Sequence, residues 1–179
     1  MIERPALVRV ATAGDERPLY DLLVDMWDHN DSGWGFPYDP ALVVQHIEEG
    51  TRPVLAQRSN PMDQRRAVHG VIDDPDLPGR LIASVGIFID QVMWFTRDIG
   101  PTELWFYIRP YARNRKRYEV ALREFSFWVH QELRKGTTER MPLITGFMHQ
   151  GSRFAGMERL WQRLWGKRAK RVGALWWID

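Results

Sequence analysis

The chain contains no cysteine. That excludes disulfide cross-links, thiolate metal ligands and a cysteine nucleophile, and it suits a reducing compartment. No window approaches the ~18 uninterrupted apolar residues of a membrane-spanning helix. The opening "MIERPALVRVATAGDERPL" carries charges where a secretory leader needs an apolar core, so a soluble, cytoplasmic protein is expected. Internal repeats and low-complexity segments are missing too. An excess of one charge is also missing: 25 Lys and Arg stand against 23 Asp and Glu, so total charge gives no reason to expect nucleic acid as a partner. The five histidines, His29, His46, His69, His130 and His149, lack metal-ligand spacing such as H-E-x-x-H, and no metal is expected.

Aromatic residues are abundant instead. Nine Trp, eight Phe and five Tyr promise a core built from rings, with some left at the surface. A length of 179 residues with 44% apolar content fits one globular α/β domain spanning 1–179.

Hydrophobic periodicity orders the elements. "ALVRV" reads as a strand, followed by a turn at Thr12 to Asp15 and a helix whose Leu19, Leu22, Leu23 and Met26 share one face. "NDSGWGFPYDP" is a loop, and Asp39-Pro40 opens a second helix through Ala41 to Glu49. Residues 50–66 give no consistent pattern. "AVHGVID" and "RLIASVGIFID" are strands joined across "DPDLPG", and "RDIGP" is expected to break the chain before a further strand, "ELWFYI". Glu119 to Lys135 is the strongest helix, with Ala121, Leu122, Phe125, Val129 and Leu133 in an apolar stripe and Arg123, Glu124 and Gln131 elsewhere, and Gly136 ends it. "PLITGFM" then reads as a strand, "SRFAGMERLWQRLW" as a helix capped by Ser152, and "VGALWWID" as a last strand.

Between "ELWFYI" and that strongest helix lies "PYARNRKRYEVA", a strand-to-helix junction crowded with positive charge and without glycine. Basic residues at a helix amino end oppose the dipole, which favours a bound anion there. A solvated basic surface is the alternative.

The element order and "ELWFYIRPYARNRKRYEVALREFSFW" together resemble the GNAT acetyltransferase superfamily. The likeness sharpens from "GVIDDPDLPGRLIASVGIFID" onward, which looks like GNAT-like proteins encoded by bacteriophages and prophages. The resemblance implies an α/β (α+β) fold with a mixed central sheet of about six or seven strands and about four helices. In that superfamily a strand and a proline lead into R/Q-x-x-G-x-G/A, whose amides hold the acetyl-CoA pyrophosphate. Pro110 and Arg113 match, whereas Lys116 and Tyr118 stand where the two small residues belong, so the pyrophosphate loop is degenerate. Arg113, Arg115, Lys116 and Arg117 are expected to supply charge-assisted side-chain contacts in place of some amides. The backbone of Phe106, Tyr107 and Ile108 would position the thioester.

By the same resemblance Glu103 is the candidate general base, its alternative being a polar residue at a strand end. The family's acid, a Tyr in the last helix, is replaced by Trp161, and Phe154 stands at the motif's Asn. Tyr107 and Tyr111 are the candidate substitutes. His69 is a candidate base, with packing as its other role. The basic residues from Arg159 to Arg171 around Trp161 and Trp165 fit an amphipathic helix better than a nucleic-acid surface. The resemblance implies an acetyl-CoA-dependent N-acetyltransferase acting on a small-molecule or protein amine. A GNAT-shaped protein that has lost catalysis and serves as a binding or structural module, as among the structural proteins of a phage particle, is the alternative, and the Trp-rich final strand offers an edge for pairing with a second copy in a homo-oligomer.

Overall fold

The computed structural model describes residues 5–30, 39–52, 67–91, 99–135 and 143. All lie in the first of two compact units, 1–147 and 148–179. The order is β1 (Arg9–Val10), α1 (Glu16–Asn30), α2 (Pro40–Thr51), β2 (Ala67–Asp73), β3 (Leu81–Gln91), β4 (Ile99–Ile108), a 3-10 turn (Pro110–Ala112) and α3 (Lys116–Arg134). The four strands form one antiparallel sheet in chain order. The expected fourth helix and the remaining strands, from "PLITGFM" onward, fall almost wholly outside the described residues. With them falls any parallel pairing.

Two of the helices, α2 and α1, start for a local reason. Asp39 caps α2, its carboxylate accepting from the amides of Ala41 and Leu42, and Pro40 takes the first turn, where its missing N–H costs nothing. α1 opens on Glu16, which complements the helix dipole. α3 has no side-chain cap: Arg115 occupies the capping position without accepting a bond.

The sheet has a core on each face. α3 lays Tyr118, Ala121, Leu122, Phe125, Val129 and Leu133 against Val68, Val85 and Ile87. On the other face Leu19, Leu22 and Leu23 of α1 and Ile47 of α2 meet Val71, Leu81, Trp105 and Tyr107. The stripe read from the sequence is therefore the one buried, with one correction. Arg123, expected off that stripe, is 1% exposed.

β4 is longer than expected. Ile99, Gly100 and Pro101 pair with Gln91, Asp90 and Ile89, so "IGP" belongs to the strand and does not interrupt it. The register with β3 contains one irregularity. Gly86 faces Trp105 but Ile87 faces Glu103, which leaves Leu104 as an extra residue, a β-bulge. Two consecutive side chains, Leu104 and Trp105, then share the α1 and α2 face. Gly86 makes room for the bulged strand, since a Cβ there would lie 2.3 Å from the Trp105 ring.

Candidate cofactor-binding site

The end of β4 is fixed by main-chain and side-chain bonds. The amide of Arg109 donates to the carbonyl of Ile82 at 3.0 Å, so by strand alternation Tyr107 also points toward β3, and Phe106 and Ile108 present their N–H and C=O to the outer edge. That edge has no neighbour among the described residues. The Arg113 Nε reaches back to the Ile108 carbonyl at 3.0 Å, with its guanidinium 5.5 Å from the Tyr107 ring centroid. Arg113 thus braces the turn, a role that the spacing of the basic residues does not show.

Lys116 and Tyr118 lie in the first turn of α3, not in a loop before it. Positive φ is therefore not needed at either position, and the absence of glycine there carries no backbone strain. The two side chains go opposite ways. Lys116 is exposed, whereas Tyr118 is 2% exposed, its ring in the α3 core and its hydroxyl accepting from Arg117 at 2.9 Å and Arg115 at 3.3 Å. The hydrogen bond from Arg117 lowers the phenol's pKa, burial opposes it, and Arg115 adds to the lowering. The Tyr118 amide bonds the Arg115 carbonyl, so the amides of Lys116 and Arg117 precede the first bond of the helix. Arg115, Lys116 and Arg117 are all exposed around this amino end. They form an electropositive rim over these two N–H groups.

The two tyrosines considered as acids are both committed. Burial raises the pKa of Tyr107, and its hydroxyl donates to Asp25 Oδ2 at 2.7 Å, which raises it further. Arg109 holds the same carboxylate at 3.0 Å and the Leu81 carbonyl at 2.9 Å. Tyr111 donates to Asp74, and burial followed by that bond raises its pKa as well.

Glu103 points toward α3 and is 3% exposed. One oxygen takes the Arg123 guanidinium and the other the Ser126 hydroxyl, each at 2.6 Å. This is a buried ion pair with directional bonds on both oxygens, which is not the setting of a base that must meet a substrate amine. Arg123, missed in the sequence, also lies 3.6 Å over the Phe106 ring centroid. The signal that could have found it is a second, polar series on α3, Arg123, Ser126 and His130, at helical spacing and all buried.

His69 is fully buried, with Nε2 donating to the His46 carbonyl at 2.9 Å and its ring 4.6 Å from that of Trp105. Packing accounts for it. Among the described residues no group of acidic or histidine side chains is arranged to hold a metal, and no helix is long and apolar enough to cross a membrane. Trp161, Phe154 and the basic residues from Arg159 to Arg171 fall outside the described residues.

No protein-family model and no curated protein sequence matches the chain. Solved structures do. The aminoglycoside acetyltransferase AAC(6')-Iy, in complex with a CoA bisubstrate analogue, has a TM-score of 0.54 at 14% identity, over 96% of this chain and 97% of that one. The aminoglycoside acetyltransferase meta-AAC0020, from an uncultured soil metagenomic sample and in complex with sisomicin, gives 0.55 at 7% over 99% of both chains. The ribosomal-protein-alanine N-acetyltransferase of Brucella melitensis biovar Abortus 2308 gives 0.53 at 10% over 96% of both chains. The chain shares the fold of these acetyltransferase structures.

Proposed function

We propose that the protein is an acetyl-CoA-dependent N-acetyltransferase whose acceptor is an amine. The observation that carries this reading is the uncapped amino end of α3. It follows directly on β4, whose outer edge has no neighbour among the described residues, and is ringed by Arg115, Lys116 and Arg117. A diphosphate meets both requirements of such an end, accepting from the amides of Lys116 and Arg117, which the helix itself does not use, and neutralising cations that otherwise oppose the dipole. The fold shared with acetyltransferases that bind CoA supports the choice of anion.

In this reading the pantetheine arm runs along the outer edge of β4. The Phe106 N–H, directed to that edge, polarises the thioester carbonyl as the amine nitrogen attacks it. The C–N bond forms and the C–S bond breaks, and the proton lost by the amine passes through water to the CoA thiolate, which leaves as the free thiol. Arg113 holds the turn at its carbonyl anchor, so that Arg115 and Arg117 stay beside the phosphates. Glu103 is not given the proton, because both its oxygens are engaged inside the core. Two of these structural neighbours are aminoglycoside acetyltransferases, which makes a small-molecule amine the first class to screen, with a protein amine second after the ribosomal-protein-alanine enzyme.

Calorimetric titration with acetyl-CoA tests the reading. The wild-type protein should bind, and Arg113→Ala should bind about tenfold more weakly or worse, through loss of the brace. Incubation with an amine panel should then release free thiol. No heat with acetyl-CoA and no shift in melting temperature would remove the proposal. Binding without thiol release would leave a CoA-binding protein that does not catalyse.

A further inference from the structure

We infer that Glu103 is a positioning residue: acting through Arg123, it fixes the ring of Phe106 and with it the stretch of β4 against which the cofactor would lie. The inference rests on the transferase reading above.

The bulge at Leu104 sets the geometry. In a regular strand Glu103 and Trp105 would share a face and Phe106 would lie on the other. One extra residue breaks that period, so Trp105 joins Leu104 on the α1 and α2 face, while Phe106 comes round to the side of Glu103. A single guanidinium on α3 then reaches both. Arg123 Nη1 holds the Glu103 carboxylate at 2.6 Å, and the flat of the same group lies 3.6 Å from the centre of the Phe106 ring. Ser126, one turn along α3, pins the second carboxylate oxygen at 2.6 Å and so sets the direction of the first. Carboxylate, guanidinium and ring form a stack that ties the strand to the helix across the bulge.

A charged pair is a costly way to fill a core. Its side chains are 2% and 0% exposed, and apolar side chains of the same volume are often as stabilising. What the pair adds over an apolar filling is direction: a planar cation that must face a carboxylate edge and a ring plane at once. The bulge, the place where β4 could otherwise shift its register, is spanned by that one contact. Phe106 turns its N–H to the outer edge of β4, so a small error in its placement is an error at the thioester. Misplacing a reacting group by about 1 Å can cost ~100-fold in rate.

Glu103→Gln and the milder Ser126→Ala provide the test. Each is compared with wild type for acetyl-CoA affinity, for the pH profile of kcat/KM, and for hydrogen exchange of the amides of residues 104–108. Glu103→Gln should weaken acetyl-CoA binding about tenfold, keep the shape of the pH profile, and speed exchange across the bulge. Ser126→Ala should move all three in the same direction but less, and Ser126→Thr, which keeps the hydroxyl, should restore them. Loss of the acid limb of the profile with unchanged affinity would make Glu103 a base and overturn the inference. Unchanged exchange in both Glu103→Gln and Ser126→Ala would overturn it as well. If wild type fails to bind acetyl-CoA, the transferase reading falls while the exchange measurement still tests the stack. If Glu103→Gln does not fold, the comparison of Ser126→Ala with Ser126→Thr supports or overturns the inference by the same readouts.

Discussion

The Tyr118 phenol sits between two guanidiniums whose own charges face solvent. The hydrogen bond from Arg117 favours the phenolate, burial of the ring disfavours it, and the bond from Arg115 tips the balance downward. Because the folded value lies below the unfolded one, the contact adds stability only at high pH. The gain is full above the ordinary phenol value of 10.0 and is lost as pH falls through the folded value, so that at neutral pH the hydroxyl is simply an acceptor. An ultraviolet absorbance titration of the wild-type protein should show one tyrosine ionising early, and Arg117→Gln should move it upward. Superimposable titrations of the two proteins would show that the cage does not form in solution. Tyr107 and Tyr111 behave oppositely, since each donates its proton to a carboxylate, Asp25 or Asp74.

At the level of elements, α3 trades a good start for an open one. A side-chain cap is worth about 1 kcal/mol, and residue 115, which should provide it, is an arginine that caps nothing. Arg115→Asp should therefore raise the melting temperature of the free protein while lowering its affinity for acetyl-CoA, stability and binding moving in opposite directions. A variant that gained or lost both would contradict the site. The same helix shows what is legible in sequence alone. The stripe from Ala121 to Leu133 is plain because apolar residues recur with the helical period. The burial of Arg123 is not, since an arginine on a helix is normally a surface residue and its partner, Glu103, is 20 positions away. Likewise "IGP" reads as a break because glycine and proline usually punctuate. Pairing with Ile89 and Asp90 carries the strand through it, a tertiary effect that no local pattern contains. Which residues at the junction are charged is legible. That Arg113 bends back to a carbonyl while Arg115 and Arg117 converge on a phenol is not, because side-chain direction depends on where the helix begins.

For the molecule as a whole, Arg9 adds a charged tie to the pairing that holds the first strand in the sheet. It bridges Asp15 at 2.7 Å, just ahead of α1, and Asp73 at 2.7 Å, at the end of β2. Burial pushes the Asp15 carboxyl upward, but the Arg9 bonds and the Thr12 amide more than offset this, and its pKa lies below the usual 3.8. A depressed carboxylate contributes stability above its unfolded pKa and loses that contribution as pH falls through the folded value. The stability gap between wild type and Asp15→Asn, measured by urea unfolding, should hold steady from neutral pH down to about 4 and close below it. A gap that stayed constant into strong acid would mean the bridge contributes through shape alone.

The bond from Tyr111 to Asp74 has a reach beyond its two residues. Asp74 begins the turn that joins β2 to β3, and Tyr111 lies in the 3-10 turn that feeds α3, with Arg80 stacked on its ring from the far side of the same connection. The hairpin tip near Leu77, far along the chain from any residue proposed to meet cofactor, is thereby geared to the entrance of the helix that would receive it. Swapping that tip for a longer or stiffer one would retune how tightly the entrance is held without altering a single residue of the entrance itself.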